Sequence, residues 1–229
     1  MKRPKRRNVY LVLMAKAPRC GYVKTRLHGE FSQQQACAMY RHFLLRSRSV
    51  AETWQRGTED IHLILAYDPP DQPLLWTDWR AWTKLPQCGV SLGDRLLAVT
   101  KSLAFTSGDA IIFIGADAPE LTGCHLDWAG ETLVSKDAAM VPAHDGGYVL
   151  IGLRSSAVAL FNGIDWGTDK VAMQTRAIAR NAGLEIAESA PVPDIDTADD
   201  VAELITRLLC SSNAGDRVLA CELLEIINK

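Results

Sequence analysis

Four short segments carry the residue types from which chemistry can be built. The first is Met14-Ala15-Lys16-Ala17-Pro18-Arg19-Cys20-Gly21-Tyr22-Val23-Lys24-Thr25-Arg26-Leu27, which places Lys16, Arg19, Lys24 and Arg26 in a loop broken by Pro18 and Gly21. It follows the apolar run Val9 to Leu13, which reads as a buried first strand. A cationic, turn-rich loop at that position is where α/β proteins hold phosphates or nucleotides. The second segment, Phe113 to Leu121, ends a strand with Gly-x-Asp-x-Pro. Asp117 there either holds a divalent metal bridging phosphate oxygens or caps the turn before Pro119. The third, Val141 to Leu150, contains Asp145-Gly146-Gly147, a hairpin-turn sequence whose glycines also let a ligand approach the backbone. His144 beside it reads as a metal ligand, a base or a polar loop histidine. The fourth, Pro193 to Val201, contains Asp194, Asp196, Asp199 and Asp200. Asp199 and Asp200 suit a helix start capped by Thr197. Asp194 and Asp196 precede that cap, and their alternation in extended chain points both carboxylates to one side. A metal ligand from this segment would complete a site begun by Asp117.

Alternating strands and helices must position these segments. Helical spacing of Ala36, Met39, Tyr40, Phe43 and Leu44 predicts a helix from a Ser32 cap through Trp54. Strands are expected at Ile61–Tyr67, Asp109–Gly115, Ala138–Val141 and Tyr148–Leu153. Further helices are expected at Gly93–Phe105, Thr122–Ser135, Thr168–Asn181 (ending at a left-handed Gly183), Thr197–Leu209 and Asp216–Ile227. Trp76, Trp79 and Trp82 fall three apart and could share a helical face, serving as core, a self-association patch or a ligand platform. The pattern implies a mainly parallel sheet covered on both faces. The chain reads as a basic tail, residues 1–7, followed by one domain, residues 8–229.

Bulk properties narrow the function classes. The 229 residues are 48% hydrophobic and 23% charged, ordinary for a soluble α/β protein. A net charge of −2 argues against a general nucleic-acid binder. The basic start and the apolar run Val9 to Ala15 imitate a signal peptide, but cleavage there would remove the first strand. No apolar run is long enough to span a membrane. None of the six cysteines is spaced for zinc, so the chain reads as cytoplasmic. Cys20 is either reactive or simply a small turn residue.

In order along the chain stand Ala-Lys-Ala-Pro-x-x-Gly-x-x-Lys-Thr-Arg-Leu, Leu-Gly-x-Arg (Leu92 to Arg95), Gly-x-Asp-x-Pro, Asp-Gly-Gly-Tyr-x-Leu-Ile-Gly-Leu (Asp145 to Leu153), Trp-x-Thr-Asp (Trp166 to Asp169) and Asp-x-Asp-Thr-x-x-Asp. Over about residues 8 to 205 this series resembles a bacterial family of uncharacterised proteins (DUF2064 type) placed in the glycosyltransferase A superfamily. Some members are described as glycosyltransferases of arsenosugar biosynthesis. The resemblance implies a glycosyltransferase A-like, nucleotide-diphospho-sugar transferase fold, a three-layer α/β/α sandwich with a mainly parallel sheet. It implies that Lys16, Pro18, Gly21, Lys24, Thr25, Arg26, Gly93 and Arg95 surround a nucleotide's phosphates. Asp117 and Asp196, with Asp194 as a substitute, would bind Mg²⁺ or Mn²⁺. Gly146, Gly147, Tyr148 and Trp166 would border the sugar or acceptor pocket, with Asp145 or His144 as the base. The sequence departs from the family at Arg19-Cys20, where Val-Pro is commoner, at His144, where an acid is common, and at Ser91, which replaces an aspartate.

Two reactions share this machinery. In glycosyl transfer an acceptor hydroxyl attacks the anomeric carbon of a nucleotide-diphospho-sugar. In nucleotidyl transfer a phosphorylated small molecule attacks the α-phosphate of a nucleoside triphosphate. The first loop lacks the Gly-x-Gly of sugar nucleotidyltransferases, which favours glycosyl transfer. A non-catalytic nucleotide binder is the third reading. Expected partners are a nucleotide or nucleotide-sugar and a small-molecule acceptor, without nucleic acid, and a homodimer is left open.

Overall fold

The structure, a computed structural model, describes residues 7–69, 71, 77–103 and 105–229. Residues 1–6 of the basic tail, Pro70 and Trp76 lie outside them. Among the described residues seven strands form one sheet: β1 (Val9–Lys16), β2 (Ile61–Asp68), β3 (Thr83–Pro86), β4 (Ala110–Gly115), β5 (Ala138–Pro142), β6 (Tyr148–Arg154) and β7 (Ile186–Glu188). Their order is β3-β2-β1-β4-β6-β5-β7. β6 alone is antiparallel to its neighbours, and every other pairing is parallel. The cause is the short connection across residues 143–147, which permits a hairpin but not the crossover a parallel pair needs. The mainly parallel α/β sheet expected from the sequence is therefore present, with one reversed strand.

Among the described residues six α-helices accompany it: α1 (Gln33–Gln55), α2 (Leu92–Ser102), α3 (Gly123–Ser135), α4 (Val171–Ala182), α5 (Ala198–Leu209) and α6 (Ala214–Ile227). β1 is an interior strand buried on both faces, which its unbroken run of Leu11, Val12 and Leu13 requires. Leu11, Leu13 and Ala15 belong to the core that includes Tyr40 and Leu44 of α1 and Leu126 and Leu133 of α3. Val12 points the other way, into the core with Leu96 and Val99 of α2 and Ala172 and Ala179 of α4. These are the three layers. α5 and α6 stand outside them, where Val201, Leu204, Leu219 and Leu223 share a core with Ala36, Met39 and Phe43 of α1.

Local chemistry sets the boundaries. Ser32 and Thr197 start α1 and α5 with reciprocal side-chain and backbone bonds to Gln35 and Asp200, each cap stabilising its helix by about 1 kcal/mol. Gly183 ends α4 at φ +67°, as expected of a left-handed cap. Other expectations need correction. α2 stops at Ser102 rather than Phe105. α4 begins at Val171, because Thr168 Oγ1 donates to the Asp165 carbonyl and bends the chain first. Trp79 and Trp82 share no helix; they lie in the approach to β3, buried edge-to-face with ring centroids 5.0 Å apart. β3, β7 and a 3-10 helix at Ser155–Phe161 carry no clear sequence signal. Among the described residues no helix is long and apolar enough to cross a membrane.

Candidate functional site

Parallel strands bring their carboxyl ends to one edge of the sheet, and a cleft of about 590 Å³ opens there. The loop after β1 supplies Lys24, Thr25 and Arg26 to it, and Asp117 follows β4. The β5–β6 turn contributes Asp145 and Gly147, and the segment after β7 contributes Asp194 and Asp196. A backbone bond from Ile195 N–H to the Asp117 carbonyl, 3.0 Å, fixes that last segment beside β4. A second wall, continuous with the core between α2 and α4, is apolar and aromatic, with Leu96, Phe113, Tyr148, Ile151 and Trp166.

Lys24 lies at the centre of the charged side. Its Nζ is 2.5 Å from Asp117 Oδ1 and 3.1 Å from Asp196 Oδ1, and it donates to the Ile195 carbonyl at 2.6 Å. Only 4% of the Lys24 side chain is exposed, against 53% for Asp117. Burial by itself would lower the Lys24 pKa, but the two carboxylates outweigh it and hold the ammonium above its ordinary range. Among the described residues Lys24 is the only non-glycine at positive φ, 49° with ψ 44°. Such a conformation costs an L-residue about 1–2 kcal/mol and persists only where its surroundings enforce it. Arg26 reaches the other oxygen of Asp196 at 2.7 Å while remaining 68% exposed.

Asp194 has the opposite imbalance. Burial first, then the charges of Asp145 and Asp196, push its carboxyl up to about 6. Asp145 Oδ1 accepts the Gly147 N–H at 2.8 Å, which shapes the hairpin turn. The Gly146 carbonyl accepts the Ala172 N–H at 2.9 Å, tying that turn to the start of α4. A β-carbon on Gly146, whose φ is +90°, would collide with the Asp169 carbonyl.

The sequence-derived residues divide accordingly. Lys16, Lys24, Thr25, Arg26, Arg95, Asp117, Asp145, Gly147, Tyr148, Trp166, Asp194 and Asp196 all line the cleft. Pro18, Gly21, Gly93, His144 and Gly146 do not. Pro18 offers its carbonyl to Arg41 at 3.3 Å, and Gly21 is a turn residue at φ +78°. His144 is exposed on the hairpin and does not line the cleft. Gly93 acts from behind, packed against Trp166.

Three residues that position the wall escaped the sequence reading. Asp68, buried at the end of β2, accepts from Tyr22 Oη at 2.5 Å and lies 3.6 Å from Arg95 Nη1. Gln87 is buried and donates to the Ala15 and Ala66 carbonyls, bridging β1 and β2. Tyr22 comes from the first loop, and burial together with the Asp68 bond raises its phenol. The available signal was Asp68 before Pro69, a carboxylate at a strand end like Asp117.

Among the described residues, no three His, Cys, Asp or Glu side chains are grouped to hold a metal ion. The Asp117–Asp196 pair nevertheless suits Mg²⁺ or Mn²⁺, which take one or two carboxylates plus substrate oxygens and water. The Lys24 ammonium, held by both carboxylates, shows that the pair accommodates a cation.

Comparison with known proteins follows the same lines. Residues 52–168 match the family described as "Uncharacterized protein conserved in bacteria (DUF2064)". No curated protein matches the sequence. A proposed nucleotide-diphospho-sugar transferase from Desulfovibrio desulfuricans G20 is similar over 97% of this chain and 98% of its own, with 28% identity and a TM-score of 0.85. A 4-diphosphocytidyl-2C-methyl-D-erythritol synthase from Anaerococcus prevotii DSM 20548 matches at TM-score 0.56 and 8% identity, over 86% of this chain and 96% of its own. A cytidylyltransferase from Leptospira borgpetersenii serovar Hardjo-bovis (strain JB197) matches at 0.54 and 13%, over 97% and 94%. The last two establish fold alone. The architecture is that of nucleotide-diphospho-sugar transferases and cytidylyltransferases.

Proposed function

The chain belongs to this bacterial family, and from that premise we propose that it is a metal-dependent glycosyltransferase, using a nucleotide-diphospho-sugar donor and a small-molecule acceptor. The observation that carries this reading is the cleft's division into two unlike walls. Cations and carboxylates (Arg26, Lys24, Asp117, Asp194, Asp196) occupy one, and the Tyr148–Trp166 pair, centroids 6.3 Å apart, stands on the other. Diphosphate chemistry needs the first wall. An aromatic surface is what the apolar face of a sugar packs against.

Transfer joins an acceptor oxygen to the anomeric carbon and breaks that carbon's bond to the nucleoside diphosphate. Asp117 and Asp196 would hold Mg²⁺ or Mn²⁺, and the ion would supply positive charge against the departing diphosphate. Arg26, paired to Asp196 through one nitrogen and 68% exposed, turns its remaining N–H donors to the same oxygens. Asp145 stands on the hairpin at the cleft with Oδ2 not engaged by the turn bond, and it takes the acceptor's proton if configuration inverts. Asp145 is preferred to His144, which does not line the cleft.

Nucleotidyl transfer is the second reading, supported by the fold shared with the two cytidyl-transfer proteins. Thermal stabilisation by UDP-, GDP-, ADP- and dTDP-sugars, and by GTP and CTP, each with Mn²⁺ or Mg²⁺, separates the two. Metal-dependent stabilisation by one sugar nucleotide, with release of its diphosphate on adding acceptor, is the expected result. Stabilisation by triphosphates alone reverses the assignment, and indifference to all of them removes both.

A further inference from the structure

The Lys24 ammonium has three N–H donors, and all three are spent: on Asp117, on Asp196 and on the Ile195 carbonyl. In this arrangement it has no proton left for a phosphate, although its loop is the natural phosphate loop. The side chain is almost fully buried, and its backbone is the strained left-handed one that aims it inward. The two carboxylates it bridges are the pair best placed for a divalent ion.

We propose that Lys24 is the resting occupant of the cation position between Asp117 and Asp196, and that a divalent metal displaces it. This rests on the metal-dependent reading above. Two cations cannot share the facing oxygens of one carboxylate pair without direct repulsion, so metal entry requires the ammonium to leave. An incoming diphosphate provides the destination, because it brings both the metal and the negative charge that Lys24 gives up. Lys24 then changes partner from carboxylates to phosphate oxygens, and the strained backbone is released in the same step. The exchange makes metal and nucleotide bind together: free metal competes with an internal cation, while the metal–nucleotide pair does not. Arg26 remains on the outer oxygen of Asp196 in either state, since it approaches from the exposed side.

Binding of Mn²⁺ alone, followed by the electron paramagnetic resonance signal of the free ion, tests this on the full chain. Lys24→Met keeps the length of the stem and removes the charge. It is expected to bind Mn²⁺ at least about tenfold tighter than the unsubstituted protein. Equal or weaker binding overturns the proposal, as does absence of binding by both proteins. Because Lys24→Met leaves Asp117 without its cation and Asp196 with Arg26 alone, a second measurement uses the unsubstituted protein. Acetylation of Lys24 by acetic anhydride, quantified by mass spectrometry, should be slow without metal and several-fold faster at Mn²⁺ concentrations that occupy the site. Unchanged protection at those concentrations overturns it. Neither measurement contains a sugar nucleotide, so a negative result here leaves the donor panel to decide the transfer reaction separately.

Discussion

The indole of Trp166 fills the space that a β-carbon on Gly93 would need: a methyl group there would run into Trp166 Nε1 and the Phe161 carbonyl. Gly93 lies in the first turn of α2 with helical geometry, so its value is the missing side chain rather than its backbone freedom. Gly93→Ala is therefore expected to push the indole off the cleft wall. Overpacking of this kind costs about 1–3 kcal/mol. A lowered melting temperature together with a raised donor KM is the predicted outcome. A variant that melts lower but keeps its donor KM would show that Trp166 packs the wall without touching substrate.

The hairpin tip offers a cleaner separation of roles. Asp145→Asn retains the oxygen that accepts from Gly147, so the turn should keep its shape while the carboxylate is lost. A drop in kcat of about 10²–10⁴, the range typical of a removed general base, is expected with little change in melting temperature. His144→Gln should stay within about twofold, since that side chain lies outside the cleft. Equal losses in both variants would return His144 to the chemistry.

His125 links stability to pH at a distance from the cleft. Its Nδ1 accepts the Thr122 N–H at 3.0 Å at the start of α3, a bond only the unprotonated nitrogen can make. Burial lowers its pKa below the ordinary 6.5, so the unfolded chain takes up the proton first as pH falls. The contribution is complete above pH 6.5 and is lost as pH drops through the lowered value. His125→Gln offers an acceptor that does not titrate. The two proteins should melt alike at pH 7.5, and the unsubstituted one should melt lower towards pH 5, by an amount equivalent to about 1 kcal/mol. Parallel melting curves across that range would remove the histidine from the acid response.

Why some of this could be read from sequence and some could not has a physical basis. Ser32 with Gln35 and Thr197 with Asp200 mark helix starts because a cap is a contact between neighbours in the chain. Asp117 could be placed at a strand end and Asp196 just before a helix cap for a similar reason, one following β4 and the other preceding α5. The Lys24 bond to both is different. It joins residues more than 90 positions apart, and nothing in the Lys-Thr-Arg-Leu motif says whether its lysine faces solvent, phosphate or carboxylate. Asp68 was missed on the same ground, since its partners Tyr22 and Arg95 come from two other segments. β3 and β7 escaped because each is short, at a sheet edge, and without an apolar face long enough to show alternation.

The Tyr22–Asp68 bond gives the last prediction, concerning the first loop. Tyr22 Oη donates to Asp68 Oδ2 at 2.5 Å, and the Ala17 N–H donates to the Asp68 carbonyl at 2.6 Å, so one residue of β2 pins the loop at both ends. Arg19 lies over the Tyr22 ring, 4.6 Å from its centroid, which holds the ring in place from above. Tyr22→Phe keeps the ring and that stacking but removes the donor. Asp68 is 6% exposed and would retain only Arg95, at 3.6 Å, as a charged partner. A buried carboxylate deprived of a hydrogen bond costs about 1–3 kcal/mol, so the variant should melt lower. The more specific expectation is local: amide exchange should quicken across residues 17–24 and stay unchanged in β1 itself, whose ladder does not use the phenol. Asp68→Asn should reproduce the loop effect more weakly, because the amide oxygen still accepts from Tyr22. If exchange in residues 17–24 is the same in all three proteins, the loop is held by Lys24 and its carboxylates instead of by Asp68.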